Sequence, residues 1–155
     1  MKKEKAVATL PSWSATSHDI VVTVRVQFLP DHSDGEEHHF VWAYHVIIEN
    51  KRHQPIQLIK RHWQIMDALG NRERVSGLGV VGEQPVIAPQ ESYSYSSGCP
   101  LATTSGMMMG HYDMVIIPSN TTSNDAVADE TMGQPLEVTI PPFPLEIPNN
   151  TRVIN

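Results

Sequence analysis

The sequence predicts an all-β chain: a two-sheet β-sandwich of the immunoglobulin or fibronectin type III kind, with about seven to eight short strands. Three observations carry that expectation. Apolar and polar residues alternate with a period of two in several runs, Gly, Pro, Asn and Asp clusters separate those runs, and no stretch holds a convincing helical period. The 155 residues suit one core, and 40% apolar with 18% charged residues suit a folded domain better than a disordered chain.

Taken in order, "HDIVVTVRVQFLP" (18–30) sets Val22, Val24, Val26 and Phe28 on one side and Thr23, Arg25 and Gln27 on the other, a half-buried strand. "DHSDGEEHH" (31–39) is a polar turn. "FVWAYHVIIEN" (40–50) is apolar on both faces and suits a central strand. "IQLIKRHWQIMDALG" (56–70) alternates again, with Ile59, Trp63 and Ile65 opposed to Lys60, His62 and Gln64. Ile56, Ile59 and Trp63 also fit a 3.6 period, but the β-branched content favours a strand closed by the turn "DALGN". "IAPQE" (87–91) is a turn and "SYSYSSG" (92–98) a strand with Tyr93 and Tyr95 on one face. "CPLATTSG" is a connection, "MMMGHYDMVIIP" (107–118) a strand, and 119–135 a mobile surface loop. The prolines of "LEVTIPPFPLEIP" (136–148) restrict it to a sheet edge or an extended arm. The expected organisation is a flexible N-terminal segment over 1–16, the sandwich over 17–148 and a tail over 149–155.

Composition narrows the function classes. A formal net charge of −6 opposes a nucleic-acid surface, and no apolar run reaches the roughly 18–20 residues a membrane helix needs. Cys99 is the single cysteine, so neither an internal disulfide nor a Cys-based zinc site can form, and a cytoplasmic location is expected. No G-x-S-x-G elbow is present. Cys99 needs a neighbouring His, for which His111 is the candidate, to act as a nucleophile; a small buried sulfur is the expectation. The chain is therefore expected to be non-enzymatic and without a cofactor.

Two motifs offer binding chemistry. Gly77, Gly79 and Gly82 form G-x-G-x-x-G, the spacing of a dinucleotide-binding turn, but Pro85 and Pro89 follow and would break the helix that stabilises the phosphate. Tight bends between strands are the expected role, and a nest of N–H groups holding a phosphate or nucleotide is the alternative. "DHSDGEEHH" gathers Asp31, His32, Asp34, Glu36, Glu37, His38 and His39. Asp34, His38 and His39 are the candidate metal ligands, with nitrogen and carboxylate donors suited to cobalt, nickel or zinc more than magnesium. On an extended segment His38 and His39 point to opposite faces, so a solvated hairpin loop is the plainer expectation. His18, His45, His53, His62 and His111 stand singly in the sequence.

"GLGVVGEQPVIAPQESYSYSSGCPLATTSGMMMGHYDM" (77–114), with "FVWAYHVIIEN" before it and "IPPFPLEIP" (140–148) after it, resembles the ApaG family, also called DUF525, across about residues 18–148. The resemblance implies a small fibronectin-like sandwich, free in bacteria and a protein-interaction domain in some eukaryotic F-box and polymerase-interacting proteins. It also implies a part in cobalt resistance and magnesium efflux. The chain departs from the family pattern at Ala102, where an acidic residue is usual, and at Met107–Gly110, where a more polar stretch is common. The expected function is a binding module acting in cation homeostasis through a protein partner, with a homodimer as a second possibility.

Overall fold

A computed structural model describes residues 9–118 and 133–148. The expected tail, and most of the expected 119–135 loop, lie outside the described residues. The described chain forms nine strands: β1 (Ser12–Ser17), β2 (Ile20–Phe28), β3 (Phe40–Asn50), β4 (Ile56–Asp67), β5 (Arg72–Leu78), β6 (Val86–Ile87), β7 (Ser92–Leu101), β8 (Gly106–Ile116) and β9 (Gln134–Leu145). All pairings are antiparallel. One sheet runs β1-β2-β3-β7; the other runs β5-β4-β8-β9, with β6 added beside β4.

Period-two burial places every second side chain of β2 and β3 in the core. Trp42, Tyr112 and Phe143 are the largest fully buried side chains. Phe143 joins the sheets, with its ring 6.0 Å from Trp63 and 6.1 Å from Tyr44. The Tyr95 and Tyr112 hydroxyls meet at 2.5 Å in the interior. Asn50, fully buried, donates to the carbonyls of Gln54 and Ile87 and accepts from the Arg52 N–H, so its desolvation is offset by three hydrogen bonds.

Two bulges shape the second sheet. On β4 the register with β8 shifts between Leu58 and Lys60, leaving Ile59 as an extra residue. Ile56 and Leu58 face inward on even numbers, whereas Trp63 faces inward on an odd one. The inserted residue therefore turns Lys60, His62 and Gln64 outward, where an unbroken strand would bury them. It also explains why Ile56, Ile59 and Trp63 mimic a helical spacing in the sequence. On β9, Pro141 and Pro142 fall opposite the single Met109, in a second bulge that leaves room for two residues unable to donate to a ladder. β9 is an edge strand, as its prolines require.

Three elements differ from the sequence reading. Residues 12–17, mostly within the segment expected to be flexible, form β1 and pair with β2; half-buried Trp13 packs 6.4 Å from Phe143. Arg72–Leu78 forms β5, an edge strand so exposed that it lacks an apolar alternation to reveal it. Cys99 lies inside β7 opposite Trp42, not in a connection, because β7 continues through Pro100 to Leu101.

Candidate functional site

The glycine motif resolves into a hairpin. After Gly82 comes β6 and a turn, with no helix. Val80 and Glu83 exchange two backbone hydrogen bonds of 2.8 Å around Val81 (φ +41°) and Gly82 (φ +83°), a two-residue turn with both central φ angles positive. Gly79 has φ +62°, and a Cβ there would lie 2.1 Å from the Glu83 carbonyl oxygen, so only glycine fits. Gly77 makes room for Arg61, whose guanidinium lies across it and donates to the carbonyls of Leu78 (3.1 Å) and Gly79 (2.9 Å). The N–H of Gly79 donates to Ile59, and those of Val80 and Glu83 to each other's carbonyls, so three of the loop's amides are already engaged.

In the 31–39 turn the Asp34 carboxylate accepts the N–H of Glu36 at 3.0 Å and of Glu37 at 3.4 Å, and Asp34 bridges to His39 through the backbone. His38 has φ +53°. Asp34 thus builds the turn, and the structure does not draw Asp34, His38 and His39 into a three-donor group.

Such a group forms elsewhere. Among the described residues, His62, His111 and Asp113 are the one set of three His, Cys, Asp or Glu side chains with ligand atoms all within 4.8 Å of one another. Cross-strand pairing builds it: His62 on β4 stands opposite His111 on β8, and Asp113 follows two positions on, which returns it to the same face. The imidazoles stack with centroids 4.5 Å apart. His62 Nε2 lies 2.7 Å from Asp113 Oδ2, and His111 Nε2 lies 3.6 Å from Oδ1. Ser76 on β5, the register partner of His62 on the other side, meets its Nδ1 at 2.9 Å.

This arrangement allows two chemistries. Serine, imidazole and carboxylate in hydrogen-bonded sequence have the connectivity of an acyl-transfer triad. That chemistry also needs converging N–H donors for the oxyanion; the N–H groups of β4 and β8 beneath the cluster are engaged by interior ladders, which leaves the free edge of β5 to supply them. The second chemistry is metal ligation. Two imidazole nitrogens and one carboxylate oxygen form the donor set of a cobalt, nickel or zinc site, and ligands about 2.0–2.2 Å from an ion stand about 3–3.5 Å apart. The observed 2.7 and 3.6 Å bracket that spacing. For His62 to ligate through Nε2, the ring proton must sit on Nδ1, where Ser76 Oγ accepts it.

Cys99 takes no part. It is buried in the other half of the sandwich, burial pushes its thiol up to about 11, and His111 is on the outer face of the opposite sheet. His62, Ser76 and Asp113 escape a linear reading because 51 residues separate His62 from Asp113. A signal was present: "GHYDM" places His111 and Asp113 at the two-residue spacing that puts both on one face of a strand.

Fold and cluster together define a small two-sheet β-sandwich with a donor-bearing outer face. Residues 30–116 match the ApaG domain (DUF525). The chain is 42% identical to Protein ApaG of Paramagnetospirillum magneticum over 143 residues, covering 92% of this chain and 99% of the relative. It is 47% identical to Protein ApaG of Rhodospirillum centenum over 137 residues, covering 88% and 95%. A crystal structure from Bordetella pertussis, of a protein named ApaA, superposes with a TM-score of 0.72 at 38% identity, covering 86% of this chain and 97% of that one. The chain belongs to the ApaG family.

Proposed function

We propose that this ApaG-family protein is a non-enzymatic binding module that takes a late first-row divalent cation on the outer face of its second sheet and acts in cation homeostasis through a protein partner. One observation carries the reading: His62, His111 and Asp113 converge on a common point, with Ser76 set to hold the His62 tautomer. A nitrogen-rich donor set favours cobalt, nickel or zinc; magnesium prefers oxygen ligands and its own water. The open face leaves coordination positions to solvent, which suits reversible uptake better than a closed structural site.

Calorimetry with Co²⁺, Ni²⁺, Zn²⁺ and Mg²⁺ tests it. Binding of the first three at one site per chain, abolished in His62→Ala and absent for Mg²⁺, is the expected result. No binding below millimolar concentration removes the reading. Turnover of p-nitrophenyl acetate that is lost on Ser76→Ala would overturn the non-enzymatic part.

For the partner, support comes from Leu78, Val81 and Val86, which are 65%, 57% and 56% exposed around the end of the free edge strand β5. Leu78→Asp with Val81→Asp should weaken retention of a partner from cobalt-grown cells while keeping the metal isotherm. An unaltered partner profile would move the interface elsewhere. Among the described residues no helix is long and apolar enough to cross a membrane.

A further inference from the structure

The metal centre does not stand on a flat surface. His62, Ser76 and His111 line one side of a concavity of about 290 Å³, and Gln64, Arg74 and Met109 line the other. Arg74 stands opposite Gln64 in the β4–β5 register, two residues from Ser76 and so on the same face. Its guanidinium has no hydrogen-bond or ion-pair partner among the described residues. The concavity therefore has the two imidazoles of the donor group at one side, with Asp113 beyond its lining, and an unneutralised cation at the other.

We propose that this concavity is a binding site for a phosphate-class dianion that bridges the bound metal ion and Arg74. The inference rests on the metal reading above and adds a ligand to it. Three protein donors leave at least one coordination position open on a tetrahedral ion, and the two imidazoles border the concavity, so a ligand on that position can extend over it toward Arg74. Charge selects the ligand. The ion brings two positive charges, Asp113 one negative and Arg74 one positive, with Arg72 two residues before Arg74 on the same face, while Lys60 and Glu137, the register partners of Asp113 on either side, offset each other. At least two positive charges remain, which a dianion offsets more fully than a monocarboxylate does. A tetrahedral oxyanion can place one oxygen on the metal and two on the guanidinium fork, with Gln64 beside them as a neutral donor. Phosphate binding in this protein thus belongs to β4, β5 and β8 and not to the Gly77–Gly82 hairpin.

The probe is methylphosphonate, held at a pH above its second ionisation so that it is a dianion and chosen because it chelates free cobalt weakly, with acetate at the same pH as the carboxylate arm. Titration of the full chain with Co²⁺, followed by calorimetry and by visible absorption of the protein-bound ion, is run with and without each anion. Methylphosphonate is expected to tighten Co²⁺ by about tenfold and to change its visible spectrum, and by reciprocity Co²⁺ tightens methylphosphonate equally. In Arg74→Gln the enhancement should be lost almost entirely, since one charge-assisted contact is worth about tenfold or more. Circular dichroism of the variant separates this from unfolding. If Co²⁺ binds but neither its affinity nor its spectrum responds to methylphosphonate, the inference falls and the metal reading stands. An equal response to acetate, an equal response in Arg74→Gln, or equal methylphosphonate binding without metal also overturns it. If Co²⁺ itself does not bind, the metal reading fails first.

Discussion

Each sheet carries a histidine on an interior strand, facing outward, with a serine directly opposite on the neighbouring edge strand. In the first sheet His45 Nδ1 meets Ser96 Oγ at 2.7 Å; in the second His62 Nδ1 meets Ser76 Oγ at 2.9 Å. The far side of each ring makes the difference. His45 Nε2 faces the Gln27 amide oxygen at 3.1 Å, while His62 Nε2 faces the Asp113 carboxylate at 2.7 Å with His111 stacked beside it. An amide satisfies an imidazole N–H but offers no charge, so on the first face the ring is paired and idle. A carboxylate and a second imidazole leave three lone-pair donors around one point, which is what an ion requires. The same cross-strand geometry thus makes a structural polar cluster on one face and a candidate centre on the other, and the side chains beyond the ring decide which.

The largest expected effect removes what both faces share. Phe143 packs against Trp13, Tyr44 and Trp63, so it braces both sheets. Phe143→Ala should cost about 3–5 kcal/mol in a urea melt, because the cavity lies where neither sheet can collapse freely. A loss below about 1 kcal/mol would mean that the sheets are held together elsewhere.

Next in size is the contrast itself. His111→Ala should weaken Co²⁺ about 100-fold or more, given that losing an outer-shell partner alone costs 10–100-fold, while His45→Ala should leave the isotherm unchanged. Equal losses from the two variants would erase the distinction between the faces. Ser76→Ala should weaken Co²⁺ by about tenfold, because His62 loses the acceptor that fixes its tautomer. If Ser76→Ala costs as much as His111→Ala, Ser76 is a ligand and the donor set is misassigned.

How far the sequence carried this picture follows from the same contrast. β2 was legible because Val22 to Phe28 alternate with polar residues, and β3 because its run is apolar on both faces, although the fold buries only every second residue of it. β5 was hidden because an edge strand with most residues exposed owes its existence to hydrogen bonds with β4, which leave no apolar mark. The glycine motif could be reduced to a bend from Pro85 and Pro89 alone, but Arg61 lying across Gly77 could not be foreseen. The centre was the least legible part. Asp34, His38 and His39 attract attention by adjacency, yet adjacent strand residues point apart, whereas His62 and His111 are joined by a register that only the folded sheet defines. The Ile59 bulge adds to the difficulty, since it sets which face His62 occupies.

The smallest effect concerns the idle face. Burial lowers the proton affinity of His45 below that of an ordinary imidazole. Its folded pKa therefore lies under its unfolded value of about 6.5, and between the two the unfolded chain binds more protons. The stability His45 contributes is present above about pH 6.5 and is lost as pH falls through the folded pKa. Gln27→Glu places a carboxylate where the amide oxygen now lies 3.1 Å from Nε2. That charge favours the imidazolium, so the ring pKa should move upward and the acid-side loss should shrink or reverse sign. NMR titration of the His45 ring reads the first effect. Urea melts at pH 5 and pH 7, each referenced to His45→Gln so that other carboxylates cancel, read the second. The Gln27→Glu variant still offers one imidazole and one carboxylate, one donor short of the second face, and its Co²⁺ isotherm should remain that of the parent. If wild-type His45 titrates at or above about 6.5, or if Gln27→Glu fails to raise it, then burial and partner charge do not distinguish the two faces.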